Sequence, residues 1–127
     1  MASKGRPYRT VELDGWNILV GRSAADNDYL SFKVAKPRDL WLHAAGGIAG
    51  SHVVVQNPEG APVPQHVLER AAELAAWYSK ARGAPRAEVH HCQAANVSKE
   101  KGAPRGQVRI KKFKRIKVVP KGVDDDT

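Results

Sequence analysis

The residues best equipped for chemistry lie close together, between Asp39 and His52. Asp39, Trp41, His43 and His52 bring a carboxylate, an indole and two imidazoles into one otherwise apolar stretch. Carboxylate and imidazole together can bind a metal ion or move a proton. Imidazole and indole can equally hydrogen-bond or stack against a base, or simply complete a folded core. Neither a helical His-x-x-x-His pair nor a cysteine cluster accompanies them, and His90 and His91 are adjacent, so in a strand they face opposite ways. No Walker-type loop or dinucleotide-binding glycine signature is present. Neither a cofactor nor a bound metal is expected.

Two strands are needed to place this group. Asp39–Ala44 and Gly50–Val55 are rich in β-branched and aromatic residues and are joined by the small-residue loop Ala45–Ala49. Alternation puts Leu40, Leu42 and Ala44 on one side and Asp39, Trp41 and His43 on the other, and separates Val53 and Val55 from His52 and Val54. With the aliphatic side in the core, the four polar and aromatic residues would share the opposite surface.

Charge supplies the second signal. The chain has 127 residues and a net charge of +8, and the excess is local. Lys99, Lys101, Arg105, Arg109, Lys111, Lys112, Lys114, Arg115, Lys117 and Lys121 are opposed within their span only by Glu100, whereas the chain upstream is nearly balanced. Such a patch is the footprint of a phosphate-rich partner. Segments 107–111 and 115–119 are expected to form a final hairpin. Val108, Ile110, Ile116 and Val118 would share one face of it, and Arg109, Lys111, Arg115 and Lys117 the other. Phe113 at its tip could stack on an unpaired base or pack. Strand-borne cations about 6–7 Å apart approach the spacing of successive phosphates.

The remaining elements follow from local signals. Tyr8–Leu13 and Trp16–Val20 flank an Asp14-Gly15 turn and predict an opening hairpin. A short helix is expected over residues 27–35, with Asn27 and Asp28 as caps or, together with Arg22, as partners of the Asp39–His52 surface. A long helix is expected over residues 64–82, with an apolar stripe at three- and four-residue spacing, Gly83 as its left-handed cap and Trp77 as a packed edge residue. Ala87–Gln93 reads as a strand. The fold class is therefore α+β: a mostly antiparallel sheet packed by one long and one short helix, in a single domain over residues 7–120 with flexible tails at 1–6 and 121–127. Cys92, the sole cysteine, excludes an intrachain disulfide and suits a buried strand position. No apolar run approaches the length of a membrane helix, so a cytoplasmic location without a membrane partner is expected.

Read together, these segments resemble the NFACT-R domain. The likeness is carried by Val20-Gly21-Arg22, Asn27-Asp28-Tyr29-Leu30, Asp39–Ala44 and Gly50–Val54. It continues in Ala71–Arg82, which is similar to the family's AA-LAA-YSKAR pattern, and in Lys99, Gly102, Gly106-Gln107-Val108 and Ile116–Pro120. It spans Tyr8 to Pro120. The resemblance implies an α+β domain that binds RNA, with Arg22, Asp28, Asp39, Trp41, His43, Ser51 and His52 as motif positions. It also implies a connection to the large NFACT proteins, which bind the large ribosomal subunit with its stranded peptidyl-tRNA in ribosome quality control. The N-terminal, helix–hairpin–helix and coiled-coil regions of those proteins have no counterpart in these residues. A free-standing RNA-binding domain is therefore expected, taking tRNA, rRNA or other ribosome-associated RNA, without the tRNA-recruiting activity of the full-length proteins. His91–Asn96 departs from the aromatic and basic residues many relatives carry there. Two other readings stay open: an RNA-processing enzyme using His43, His52 and Asp39, and a module that docks on DNA or an acidic protein.

Overall fold

The computed structural model describes residues 8–123; the tail expected at 1–6, and the part of the tail expected at 121–127 that follows residue 123, lie outside them. Strands β1 (Tyr8–Leu13) and β2 (Trp16–Gly21) form the opening hairpin. Asp14 and Gly15, both at positive φ, make the two-residue turn that Asp-Gly favours. Helix α1 (Ala24–Tyr29) continues into a π-helical turn over Leu30–Val34. Then come β3 (Leu40–Ala44), β4 (Val53–Val55), helix α2 (Gln65–Trp77), β5 (Ala87–Gln93), β6 (Val97–Ser98), β7 (Arg109–Ile110) and β8 (Lys114–Val118). Six strands pair antiparallel in the order β1-β2-β4-β3-β5-β8, and β6 with β7 makes a separate ribbon. The architecture is α+β, as expected.

Alternation along the central strands divides the apolar residues between two cores. Ile18, Val20, Leu42, Val53, Val55 and Val89 pack under α2, whose Ala71, Ala72, Ala75 and Ala76 let the helix approach the sheet closely. On the opposite face Leu19, Trp41, Val54 and Cys92 pack against Leu30 of the π-helical turn and Val97 of the ribbon. The sheet is thus covered on both sides at its centre. Cys92 is buried, and burial raises its thiol pKa to about 11.

The C-terminal hairpin does not form. β7 pairs with β6 (Val97↔Ile110), and β8 pairs with β5 (His91↔Lys114), so the two segments are not partners. Val108 and Ile110 accordingly pack in the Trp41 core, while Ile116 and Val118 pack under α2. The basic residues separate with them. Lys114 lies opposite His91 on the α2 side, and Arg115 and Lys117 lie opposite His90 and Glu88 on the other.

Both helices also differ from expectation at their ends. The Ser23 hydroxyl accepts from Asp26 N–H, so α1 starts three residues before the expected Asn27, and Asn27 and Asp28 fall inside it. Helix α2 stops at Trp77 because the chain beyond is captured by the β3–β4 connection: Ser51 N–H donates to Tyr78 C=O and Lys80 N–H to Ala49 C=O, around a Gly50↔Ser79 bridge. Gly50 has to be glycine here, since a Cβ would lie 2.6 Å from Ser79 Cβ. Gly83 does not adopt the left-handed cap. Residues 121–123 lie against α2, with the Arg70 guanidinium donating to the carbonyls of Lys121 and Gly122.

Candidate nucleic-acid interface

The Asp39–His52 stretch splits into two parts with different roles. Trp41, His43 and His52 do assemble: the rings of Trp41 and His52 lie 5.0 Å apart, those of His43 and His52 5.2 Å, and Trp41 stacks with His43 at 6.1 Å. Asp39 does not join them. At 2 % exposure its carboxylate accepts from the backbone N–H groups of Lys36 (2.9 Å) and Asn57 (2.7 Å), tying together the loops at the start of β3 and the end of β4. The His–His–Asp constellation an enzyme reading requires is therefore not assembled.

A hydrogen-bond chain orders the buried rings. Trp41 Nε1–H donates to Ser31 Oγ (2.9 Å), the Ser31 hydroxyl donates to His52 Nδ1 (2.8 Å), and His52 Nε2–H donates to the Gly106 carbonyl (3.1 Å). A carbonyl can only accept, so this arrangement fixes the neutral Nε2–H tautomer. Burial, and then the neighbouring His43, lower the His52 pKa to about 4. The His43 pKa is also lowered, chiefly by burial and further by His90, against a hydrogen bond to the Gly50 backbone that raises it. Both imidazoles are uncharged at neutral pH.

Asn27 and Asp28 become tertiary ties. Asn27 accepts from His52 N–H and donates to Gly50 C=O, filling the space left by the missing side chain of Gly21. Asp28 accepts from Gly106 N–H (3.0 Å) and pairs with Lys99 (3.1 Å), whose ammonium also donates to the carbonyls of Pro104 and Gln107. Ser51 Oγ–H donates to Gly21 C=O. The Gly106 peptide is thereby held by α1 at its N–H and by His52 at its C=O. This fixes loop 99–107 as a wall standing over the sheet.

Between that wall, loop 45–50 and the end of α2 opens a cleft of about 1130 Å³. Trp41, His43 and His52 contribute to its lining, as do Trp77 and Tyr78. Its cations are Arg22, Lys80, Arg82 and Arg105, all exposed, and no Asp or Glu lines it. Among the described residues none of the four makes an ion pair. The Arg82 guanidinium sits 4.4 Å from the Trp77 ring centroid and 5.8 Å from that of Tyr78. Gly46 and Gly47, at φ +87 and +70, turn the loop, and the amides of Gly46, Gly47 and Ile48 donate to nothing among the described residues. Free amides, unpaired cations and ring faces around one open space suit phosphates and unstacked bases.

The family profile described as the NFACT protein RNA binding domain matches residues 6–112. The chain belongs to that family. The chain is 39 % identical over 116 residues to the Rqc2 homolog RqcH of Streptococcus suis, and 38 % identical over 129 residues to that of Bacillus subtilis. These alignments take in 91 % and 98 % of this chain but 20 % and 21 % of the relatives, so it spans about a fifth of their length. A Drosophila melanogaster protein, ribosome quality control complex subunit NEMF homolog, is 32 % identical over 58 % of this chain and 7 % of its own. A solved structure, the C-terminal part of the fibronectin/fibrinogen-binding protein from Streptococcus suis, superposes with a TM-score of 0.83 at 39 % identity, covering 94 % of this chain and 47 % of that one.

Within this NFACT-R fold the sequence-predicted positions divide by role. Trp41, Ser51, His52, Asp28 and Lys99 are tied into the walls of the cleft, Asp39 fastens the loops where β3 begins and β4 ends, and Arg22, His43 and Arg105 line the open space. The C-terminal cations are dispersed. Arg109 pairs with Glu100 (2.8 Å) and Arg115 with Glu88 (3.3 Å); Lys101, Lys111 and Lys117 are exposed outside the cleft. Phe113 is half-buried, packed on His90 at 4.4 Å with the Arg115 guanidinium 5.3 Å from its ring centroid. Gly46, Gly47, Tyr78, Lys80 and Arg82 join the lining in addition to the positions expected from the sequence. The Ser79-Lys80-Ala81-Arg82 run just past an apolar stripe was the signal available for the last two.

Among the described residues no helix is long and apolar enough to cross a membrane, and no group of three or more His, Cys, Asp or Glu residues could hold a metal ion.

Proposed function

We propose that this NFACT-R domain binds an unpaired segment of RNA in the cleft between loops 45–50 and 99–107. The observation that carries the proposal is the composition of the lining: four Lys and Arg side chains with no ion-pair partner among the described residues, no carboxylate, and a ring-bearing floor. Arg22, Lys80 and Arg105 would hold successive phosphates, and the Gly46–Ile48 amides would receive one of their oxygens. His43, neutral and half-buried, would stack beside a base, and Arg82 on Trp77 offers a guanidinium plane for a second. The relatives named for ribosome quality control support tRNA, rRNA or other ribosome-associated RNA as the ligand class, met in the cytoplasm. The cleft takes this role in place of the expected C-terminal hairpin, whose two segments pair with β6 and β5 instead. The enzyme alternative loses its carboxylate to the Lys36 and Asn57 amides.

Filter binding of a labelled mixed-sequence single-stranded RNA at two salt concentrations tests the reading. Three phosphate contacts on a single strand give a log–log salt slope near −2, so affinity should fall at least about twenty-fold between 50 and 200 mM salt. Arg22→Glu, Lys80→Glu and Arg105→Glu together should weaken binding at least ten-fold. Binding independent of salt, or untouched by the triple change, overturns it.

A further inference from the structure

A second cavity, of about 590 Å³, lies on the α2 side of the sheet, where β3 begins and β5 ends. Its size falls within the range of small-ligand sites. The floor is apolar, with Leu40, Val63 and Leu68; the rim is cationic, with Arg38, Lys112 and Lys114, and no Asp or Glu lines it. Among the described residues neither lysine has an ion-pair partner. Arg38 is pre-oriented: one guanidinium nitrogen donates to Pro58 C=O at 2.7 Å, which leaves its other donors available. Three carboxamides line the cavity; that of Asn57 is bonded to the Ala61 backbone, whereas the side chains of Gln93 and Asn96 make no hydrogen bond among the described residues.

Lys112 reaches this rim through an unusual backbone. The chain has only Lys111, Lys112 and Phe113 in which to leave the β6–β7 ribbon and enter β8 beside β5, and Lys112 takes φ +54 to make the turn. A left-handed conformation is costly for a residue with a Cβ and is met more readily by Asn or Gly. Here the turn puts a cation beside Lys114, which the alternation of β8 directs away from Arg115 and the cleft face.

We propose that this cavity is a second nucleotide subsite for RNA, on the sheet face opposite the cleft. A phosphate would sit among Arg38, Lys112 and Lys114, the base would lie on the Leu40–Val63–Leu68 floor, and the Gln93 and Asn96 amides would meet its edge. A strand leaving the cleft past Arg115 and Lys117 would cross the β8 edge to reach it. The inference rests on the RNA reading of the cleft and extends it to both faces of the sheet.

The test uses the full chain and the same mixed-sequence RNA. Lys112→Glu with Lys114→Glu, both exposed positions, should weaken binding about ten-fold at low salt, lower the log–log slope by about 1.4, and combine multiplicatively with the cleft triple variant. RNA should also shift the Gln93 and Asn96 side-chain amide resonances of the 15N-labelled protein. Wild-type affinity in the lysine variant, while the cleft variant loses binding, overturns the second subsite and leaves the cleft standing. Unaltered binding in both variants defeats both readings. If AMP shifts the two amides and the RNA does not, the cavity takes a free nucleotide and the RNA subsite is overturned.

Discussion

Lowering the pH should unfold this domain through His52. The side chain is fully buried, its Nδ1 accepts from Ser31 and its Nε2–H donates to Gly106, so a second proton would displace the Ser31 hydroxyl hydrogen. Its pKa is about 4 folded, against the usual 6.5. The unfolded chain therefore binds the proton first as pH falls. The stability this histidine contributes is complete above pH 6.5 and is lost as pH descends toward 4. A displacement of that size corresponds to about 3 kcal/mol, of which about 2–3 kcal/mol is gone by pH 4.5. His43 pushes the same way, and carboxylates add their own terms, so the difference between two proteins is the useful quantity. Urea unfolding of the wild type and of His52→Gln, followed by tryptophan fluorescence at pH 7 and pH 4.5, isolates it. Glutamine keeps a donor and an acceptor but does not titrate. The wild type should lose about 2–3 kcal/mol more than the variant between the two pH values; equal losses would refute the argument.

Other consequences follow from the packing. Gly50→Ala forces a Cβ against Ser79 and should cost about 1–3 kcal/mol in urea unfolding while also weakening RNA binding, because it parts loop 45–50 from the end of α2. Leu74→Ala, in the core under α2, should cost about 2–5 kcal/mol with the salt dependence of RNA binding unchanged. Trp41→Phe removes the donor to Ser31 and should cost about 1 kcal/mol or more, read from the same unfolding curves. The Cys92 thiol should resist iodoacetamide at pH 7.5 in the folded protein and react once urea is added.

What could be read from the sequence was local. The Asp14-Gly15 hairpin, the Ala87–Gln93 strand and the split of Leu40 and Leu42 from Trp41 and His43 each rest on turn chemistry or on a period of two, and each stands in the fold. Pairing at a distance was not legible. Neighbouring β segments near the C-terminus suggested a hairpin, yet Lys114–Val118 completes the sheet beside β5 while Arg109–Ile110 folds back on β6. The same limit applied to charge. A run of cations along the chain drew attention to residues 99–121, whereas the cleft collects Arg22, Lys80, Arg82 and Arg105 from separate elements. Asn27 and Asp28 carried residue types suited to caps. Only the Ser23 cap, by moving the helix start upstream, frees them to fasten His52 and Gly106.

The location of the bound RNA bears most directly on the central claim. Single-stranded RNA carrying 4-thiouridine, photocrosslinked to the full chain and mapped by mass spectrometry, should leave adducts within residues 43–52, 77–82 and 104–108, the walls of the cleft. Adducts confined to peptides that do not line it would contradict the account.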